Sequence, residues 1–295
     1  MRLDPTSLRL FVAVAETGSI AAAAEHAHLA AAAVSKRVSE LEQGLGTALL
    51  MRSNKGVQPT MAGIELAHLA RGVLHNLDDI VVRMRDYGGG LRGQVRVMAN
   101  ISAITQFLPA QLKSFLADYP LIDVHLEERV STAIVRAVAE NAADIGIFTA
   151  GAVGVELETF PYQRDELVVV VPGGHPLAGR QSVTIRETFD YDFVSLHAGS
   201  QIHLQLAKAA SEAGRVFKPR IHVPGYDALC LMVQAGLGLG ILPRSSAGPY
   251  QQTLGIRTVA LDEPWAARQL VLGVRAYEGL SAVARLLVDR LREDV

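Results

Sequence analysis

Apolar residues near the N-terminus recur at helical spacing in three consecutive segments. The first segment places four apolar side chains on one helix face: Leu8, Phe11, Val12 and Ala15. Asp4 and Pro5 are suited to begin this helix as N-cap and first helical residue, and Gly18 is expected to end it. Ser19 is suited to cap a second, alanine-rich helix, and a third helix is predicted over residues 31–45. This order predicts a tight helix pair followed by a candidate recognition helix.

The third predicted helix has an apolar face and a polar, basic side. Its inward positions are predicted to be Val34, Val38, Leu41 and Leu45. Its other faces carry Ser35, Lys36, Arg37 and Ser39. Downstream, Arg52-Ser53-Asn54-Lys55-Gly56 is typical of a basic turn that joins two short extended segments. Helices followed by such a turn predict a winged helix-turn-helix, which favours DNA as the partner.

Four cations in this region have the chemistry that DNA binding requires: Lys36, Arg37, Arg52 and Lys55. They are able to neutralise phosphates and to reach base edges in the major groove. Gln58 and Thr60 are placed to extend the phosphate contacts. The alternative is that these charges form only a solvated surface, as most charge runs do. Residues 1–62 hold six Lys or Arg and five Asp or Glu, so the electrostatic argument depends on the local 36–55 cluster.

A long helical pattern follows Thr60, which is suited to cap it. Its apolar stripe consists of Ile64, Ala67, Leu74, Leu77, Val81 and Met84. Gly88-Gly89-Gly90 is expected to end the helix and to act as a hinge. An apolar stripe with little of a domain to cover it favours a dimerisation arm. The alternative is that the stripe packs against its own N-terminal domain.

Beyond Gly93, extended apolar stretches alternate with helical patterns, which predicts an α/β domain. The first strand candidates are QVRVMAN, IDVHLEER, ADIGIF and ELVVVVP, with helices around 103–118 and 132–141. A second lobe is expected from strand candidates DFVSL, RIHVPG, LGILP and IRTVAL. The chain is then expected to cross back at LVLGVRA and to finish on a helix over 281–291.

Several segments resemble one protein family. The stretch LRLFVAVAETGSI…AAAAVSKRVSELEQGLGTALLMRS…VQPTMAG resembles the N-terminal domain of LysR-type transcriptional regulators. ADIGIF at 143–148, LVVVVPGGHPLAG at 167–179 and MVQAGLGLGILP at 232–243 resemble parts of that family's effector domain, in the same order. The resemblance implies a sequence-specific DNA-binding transcriptional regulator that works on double-stranded DNA as a homodimer or homotetramer. It also implies a small-molecule effector bound between two α/β lobes with the fold of periplasmic solute-binding proteins.

These inferences together predict three parts of the chain. Residues 1–62 form a winged helix-turn-helix DNA-binding domain, and residues 63–92 form the linker or dimerisation helix with its hinge. Residues 93–295 form the effector domain. Within it, lobe I comprises residues 93–168 and 265–295, and lobe II comprises residues 169–264.

The recognition helix departs from the family pattern at its start. Members usually carry Ser-Gln-Pro-Ala where this chain has Ala30-Ala31-Ala32-Ala33. Loss of a serine cap costs about 1 kcal/mol of local stability, and Ala31 offers a base only a methyl group, which suits a thymine methyl. Base readout is therefore expected to shift to other residues or to DNA shape. The predicted DNA contacts are Ala31, Ser35, Lys36, Arg37, Arg52, Asn54, Lys55, Gln58 and Thr60.

Ligands of open α/β sheets bind beyond the carboxyl ends of the strands, where helix N-termini point amide groups inward. This rule, and the positions of the family's usual pocket, select Asn100, Ser102, Ser131, Thr149, His197, Ser200, Gln201 and Tyr226 as effector-binding residues. Each residue taken alone is equally typical of a helix cap or turn. Hydroxyls, amides and helix N-termini favour a small anion, so we expect a carboxylate. Arg129 offers a further cation, although pairing with Glu127 or Glu128 is the favoured interpretation.

Net charge, cysteine content and the order of elements around one glycine-rich stretch exclude several kinds of site. A formal net charge of −2 is not typical of a pure nucleic-acid binder. The single cysteine, Cys230, excludes an intramolecular disulfide and a cysteine zinc site. We expect Cys230 to be a small buried residue and not a redox sensor. The glycines in 236–240 follow a helix and precede a strand, the reverse of a dinucleotide-binding motif.

No secretory signal or membrane span is predicted, so we expect a cytoplasmic protein that does not contact a membrane. No catalytic, cofactor or metal-ligand motif is found, so no enzyme activity and no cofactor are expected. Two alternatives stay open at this point. One is a small-molecule sensor with weakened or lost DNA readout, and the other is an enzyme in the α/β cleft.

Overall fold

Residues 3–53, 56–86, 92–151 and 155–293 are described by the structure, a computed structural model. The chain divides near residue 90 into an N-terminal and a C-terminal unit. The first three helices are α1 (Pro5–Thr17), α2 (Ile20–His26) and α3 (Ala31–Leu45). The Asp4 carboxylate caps α1 by accepting the Ser7 backbone N–H at 3.0 Å, and Gly18 ends the helix in the left-handed conformation. Ser19 caps α2 through the Ala22 backbone N–H at 3.3 Å.

The three helices bury one apolar core. Phe11 and Val14 of α1 and Val34 and Val38 of α3 have no exposed surface. Leu45 was predicted to point inward, but 40 % of its surface is exposed. It lies in the last turn of α3, past the three buried positions of that face, where Gly46 ends the helix. The periodicity of the core face therefore extends one turn farther than the core itself.

A two-stranded wing follows α3. Strands β1 (Leu50–Ser53) and β2 (Gly56–Pro59) pair antiparallel. The carboxylate of Glu42 on α3 accepts the backbone N–H groups of Leu49 at 2.8 Å and Leu50 at 3.1 Å. Because two backbone N–H groups at the start of the first strand donate to one carboxylate of α3, the wing has a defined position beside the candidate recognition helix.

The long helix α4 (Met61–Asp86) has two apolar faces. Thr60 caps it, because its hydroxyl accepts the Gly63 backbone N–H at 3.0 Å. The buried face belongs to the N-terminal core and contains Ala67, Ala70 and Leu74. A second face is exposed and contains Leu69, Val73 and Ile80, each 48–57 % exposed. Ile64, which is 50 % exposed, lies on the other side of the buried face. The predicted dimerisation stripe is thus wrong at Ala67 and Leu74, which pack against their own N-terminal domain as the alternative had it, because α4 covers the core of the three preceding helices. Gly88-Gly89-Gly90 and the side chains of Val81 and Met84 lie outside the described residues.

The first lobe of the C-terminal unit is a parallel sheet with helices. Its parallel strands are β3 (Gly93–Ala99), β4 (Ile122–Glu128) and β5 (Ile145–Thr149). Its helices are α5 (Ile101–Gln106), α6 (Leu108–Asp118), α7 (Ser131–Ala139) and the C-terminal α12 (Ala282–Glu293), with a short 3-10 helix at Tyr277–Gly279. The predicted 103–118 helix is two helices, because the backbone breaks at Phe107, and Pro109 lies in the first turn of α6.

Two long strands connect the lobes. β6 (Glu158–Pro172) pairs with β12 (Ala267–Val274) along its first part. Along its last part, β6 pairs with β10 (Gly240–Pro243) on one side and β11 (Ile256–Leu261) on the other. The apolar core of each lobe therefore contains a different part of β6: Tyr162 lies in the first and Leu167–Val171 in the second.

The second lobe is built from short strands and four helices within the described residues. Its other strands are β7 (Ser182–Val183), β8 (Val194–Leu196) and β9 (Ile221–Val223), of which the last two are parallel. Its helices are α8 (Ile185–Thr188), α9 (Gln201–Glu212), α10 (Tyr226–Gln234) and α11 (Arg244–Leu254). The N-termini of α9 and α10 follow the carboxyl ends of β8 and β9, which positions them for a ligand. The winged helix-turn-helix, the long helix and the two-lobed α/β fold agree with the predicted fold class.

The uncapped start of α3 supports a stability prediction. Ala30 has the extended backbone of an N-cap (φ −70°, ψ 137°) but makes no side-chain capping bond. Ala30→Ser is expected to add about 1 kcal/mol to the free energy of unfolding, because a serine hydroxyl accepts an orphan N–H of the first turn. Ala32→Ser, inside that turn, is the control and gains no cap. Urea unfolding measures both variants, and equal effects would contradict the prediction.

Candidate functional site

The predicted DNA-contacting residues of α3 lie on its exposed side. Ala31, Lys36 and Arg37 are exposed and Ser35 is half-buried. The Arg37 guanidinium pairs with the Asp4 carboxylate at 3.0 Å and donates to the Ser7 hydroxyl at 3.4 Å. These contacts fix the direction of the Arg37 side chain.

Both basic residues of α3 are paired on the surface. Lys36 lies 3.8 Å from the Glu40 carboxylate, one turn along the helix. Hydrogen bonds from Ser7, then the charge of Arg37, hold the pKa of Asp4 below its ordinary value. Exposed ion pairs contribute at most about 1 kcal/mol and are screened by salt. The two cations therefore remain available to exchange their carboxylate partners for phosphates.

The residues in and after the wing that are predicted to contact DNA differ in exposure and in whether the structure describes their side chains. Gln58 is exposed on β2. The Thr60 hydroxyl is already engaged, since it donates to the Ala48 carbonyl at 2.8 Å while it caps α4. Arg52 lies on β1, with its side chain outside the described part of the chain, and Asn54 and Lys55 lie outside it entirely.

All the predicted effector-binding residues line one cavity between the two lobes. They are Asn100, Ser102, Ser131, Thr149, His197, Ser200, Gln201 and Tyr226. The cavity has a volume of about 30 Å³, which is room for about two water molecules. Three helices of nine or more residues, α7, α9 and α10, begin at its wall. The cavity therefore has the positive helix ends and hydroxyls that suit a small anion.

Several of these residues also have structural partners. Asn100 accepts the Ala103 backbone N–H at 3.0 Å and donates to the Thr149 hydroxyl at 3.2 Å. The Ser200 hydroxyl caps α9 by accepting the His203 backbone N–H at 3.2 Å. Capping and lining the cavity are thus combined in the same side chains, because helix N-termini form its wall. Arg129 also lines the cavity and pairs with Glu127, as predicted.

A buried ion pair at the cavity was missed by the sequence analysis. Arg268 on β12 is 8 % exposed and pairs with Asp165 on β6, which is 2 % exposed. The Arg268 Nε atom donates to the Asp165 carboxylate at 2.7 Å, and Nη2 also donates to the Ser102 hydroxyl at 2.9 Å. The Ser102 hydroxyl in turn lies 3.0 Å from the Tyr226 hydroxyl, which belongs to α10 of the second lobe. Burial raises the pKa of Tyr226, so this hydroxyl remains protonated.

The Arg268 guanidinium lines the cavity. Its Nε and Nη2 atoms make its hydrogen bonds to Asp165 and Ser102. The charge of Arg268 and a side-chain hydrogen bond from it also act on the Tyr226 hydroxyl, and they lower its pKa against the larger effect of burial. An arginine carries five N–H donors in a planar fork, and buried donors are costly when unpaired. The signal in the sequence was a charged residue two positions before the predicted strand LVLGVRA. Its significance depends on Asp165, which stands directly opposite in the strand register.

Cys230 has the environment of an unreactive thiol. It is fully buried on α10, and burial together with the Asp227 carboxylate raises its pKa to about 11. At pH 8 only about one thiol in a thousand is then ionised. We expect the folded protein to react with a disulfide reagent such as DTNB at least about a hundredfold more slowly than the urea-unfolded protein. Equal rates in the two states would contradict this environment.

The described residues contain no cluster of three or more His, Cys, Asp or Glu that suits a metal ion. Three histidines lie near the cavity in the second lobe. Burial lowers the pKa of one of them, His203, and the neighbouring His222 and His197 lower it further.

Among the described helices, none combines the length and the apolar character that crossing a membrane requires.

Family models match almost the whole chain. Residues 5–64 match the model described as bacterial regulatory helix-turn-helix protein, lysR family, and residues 88–295 match the LysR substrate binding domain. The RuBisCO operon transcriptional regulator of Allochromatium vinosum is 28 % identical over 284 residues, which cover 96 % of this chain and 94 % of the relative. The probable HTH-type transcriptional regulator LrrA of Synechococcus elongatus is 32 % identical over 248 residues, which cover 84 % and 83 %.

A solved structure has the same fold. Full-length CbnR, crystallised with its target DNA, superposes with a TM-score of 0.71 and 21 % identity, covering 99 % of this chain and 100 % of that chain.

Proposed function

The chain belongs to the LysR family of DNA-binding transcriptional regulators, and we propose that its effector is a small carboxylate held between the two lobes. The observation that carries this proposal is the buried Arg268 fork beside hydroxyls and helix N-termini. Asp165 already balances the charge of Arg268, so the ligand is held by hydrogen bonds and helix ends and not by an isolated cation. Such a site suits a carboxylate monoanion.

The DNA-reading residues are part of the same proposal. Ala31, Ser35, Lys36 and Arg37 of α3 enter the major groove, and the wing residues Arg52, Asn54, Lys55 and Gln58 contact phosphates. Thr60 contributes mainly by placing the start of α4, since its hydroxyl is engaged. Small residues at 30–33 allow a close approach of the helix N-terminus to the DNA backbone.

The domain boundaries, the dimer and the location in the cell belong to the same proposal. We assign residues 1–62 to DNA binding, 63–92 to a dimerisation helix and hinge, and 93–295 to effector binding, with the lobe boundaries predicted above. The exposed face of α4 with Leu69, Val73 and Ile80 supports a dimer, because spacings of four and seven residues suit a helix-to-helix seam. A regulator that binds DNA works in the cytoplasm, and no catalytic role is assigned to the cleft. Effector binding closes the lobes and alters how the two recognition helices of a dimer meet DNA.

Replacing the buried ion pair by apolar residues tests the carboxylate proposal. The double variant Arg268→Met with Asp165→Leu removes the donor fork without leaving an unpaired charge. Acetate, glycolate, malate and benzoate are titrated into the wild type and the variant by calorimetry. We expect one or more to bind the wild type and to bind the variant about a hundredfold more weakly, because charged hydrogen bonds are worth about 1.5–3 kcal/mol each.

The matched control is the pair Arg96 and Asp144 in lobe I, which does not line the cavity. Arg96→Met with Asp144→Leu should leave carboxylate affinity unchanged, and operator binding should persist in both double variants. Equal carboxylate affinity in the wild type and the Arg268 variant would overturn the proposed site.

A further inference from the structure

A second cavity opens beside the first. It has a volume of about 210 Å³ and shares Thr149, Gln201, Ile202 and Arg268 with the smaller cavity. Because the first cavity has room for only about two water molecules, a ligand with its carboxylate there must place any larger body elsewhere. A third cavity of about 430 Å³ also adjoins the first, through Ile101, Glu128 and Tyr226. Of these two larger cavities, the second is the one that shares Arg268, so a carboxylate at Arg268 places its body there.

Two glutamine amides in this wall have no hydrogen-bond partner among the residues that the structure describes. Gln201 and Gln205 lie one turn apart on α9, both half-buried and both lining the second cavity. Neither side-chain amide makes a hydrogen bond within the described ranges. Gln269, which also lines this cavity, is different, because its amide donates to the Gln163 and Leu270 carbonyls and accepts from Arg164. The unpaired amides are therefore a specific feature of α9.

An aromatic ring also forms part of the wall of the second cavity. Trp265, the only tryptophan of the chain, lies in the turn between β11 and β12. Ala266 holds this turn, because its carbonyl accepts the Leu167 backbone N–H at 2.8 Å. No hydrogen bond of the Trp265 indole N–H is found among the described residues. A flat ring with a donor at its edge completes a wall that is partly apolar and partly hydrogen-bonding.

We infer that the second cavity binds the body of a hydroxylated carboxylate, such as a sugar acid, whose carboxylate occupies the Arg268 site. This inference rests on the proposed function for the position of the carboxylate. Hydroxyl groups both donate and accept, which is what the amides of Gln201 and Gln205 require. An apolar body would cover these amides without pairing them, and that is costly. The Trp265 ring packs against the C–H face of the hydroxylated body.

Trp265 supplies the readout for a direct test. Glycolate, gluconate, glucuronate and benzoate are titrated into the full-length protein by calorimetry and by tryptophan fluorescence excited at 295 nm. Gluconate or glucuronate is expected to bind at least about tenfold more tightly than glycolate, since each added hydrogen bond contributes about 0.5–1.5 kcal/mol. The tighter ligand should also change the fluorescence of Trp265, whereas glycolate should not.

Gln205→Leu locates the hydroxyl contacts. It should weaken gluconate or glucuronate about tenfold and leave glycolate within about twofold, because Gln205 lines only the second cavity. Lys208→Leu, an exposed position on the same helix, is the control and should change neither affinity. Retained operator binding shows that each variant is folded.

The outcomes separate the two proposals. If no carboxylate binds, the Arg268 site and the proposed effector class both fail. If glycolate binds and gluconate and glucuronate bind no more tightly than glycolate, only the inference about the second cavity is overturned. If benzoate instead binds more tightly than glycolate, and Gln205→Leu does not change the benzoate affinity, the second cavity holds an apolar body. That result also overturns the inference.

Discussion

Replacing Lys36 and Arg37 together by alanine is expected to weaken specific operator binding by about a hundredfold or more. A base-directed contact contributes about 1–3 kcal/mol, and each phosphate-directed cation that is lost lowers the salt slope by about one unit. The surface pairs of these residues with Glu40 and Asp4 are weak, so their loss leaves the fold intact. Fluorescence anisotropy with labelled operator, across a salt series, measures both quantities.

The chain contains a matched control for this double variant. Lys208 pairs with Glu212 one turn along α9, as Lys36 pairs with Glu40 on α3. Arg215 pairs with Asp190 from a distant part of the chain, as Arg37 pairs with Asp4. Lys208→Ala with Arg215→Ala removes the same charge outside the predicted DNA surface. It should leave the operator affinity and its salt slope nearly unchanged. If the two double variants behave alike, the reading residues are elsewhere.

Asp165→Asn is expected to lower the free energy of unfolding by about 3–5 kcal/mol, because it leaves the buried Arg268 guanidinium without a counter-charge. The amide of asparagine preserves the shape of the side chain but not its charge. Arg268 is 8 % exposed, so water screens little of the remaining charge. Urea unfolding of the full-length protein, followed by circular dichroism, measures the loss.

Two further variants test the cause of this loss. Asp144→Asn breaks the more exposed pair with Arg96, 14–18 % exposed, and should cost less. Adding Arg268→Met to Asp165→Asn removes the unpaired charge and should recover a large part of the stability. No recovery in this double variant would show that the loss has another origin.

The features that the sequence predicted well are governed by neighbours along the chain. Asp4, Ser19 and Thr60 cap the helices that they precede, since a cap depends on residues within one turn. The effector residues were found by their position after strand ends, and parallel strands bring such positions together whatever the side chains are. All of them line one cavity, although their contact with an effector remains a prediction.

The features that the sequence analysis missed depend on distant pairing. Arg268 and Asp165 are 103 residues apart and meet only through the register of β12 against β6. Gln205 on α9 and Trp265 in the turn between β11 and β12 line one cavity only through the fold, which no local pattern predicts. Leu45 carries the right periodicity but is exposed, because periodicity shows which face is apolar and not how far the covering element extends.

The most direct test of this account is the binding of the purified full-length protein to the DNA flanking its own gene, against a scrambled duplex of equal length, across a salt series. A sequence-specific regulator is expected to bind the flanking DNA more tightly, with the logarithm of the affinity falling linearly as the logarithm of the salt concentration rises. Equal, weak binding to both duplexes at moderate salt would contradict it and would favour a sensor whose DNA readout was lost with the alanines at 30–33.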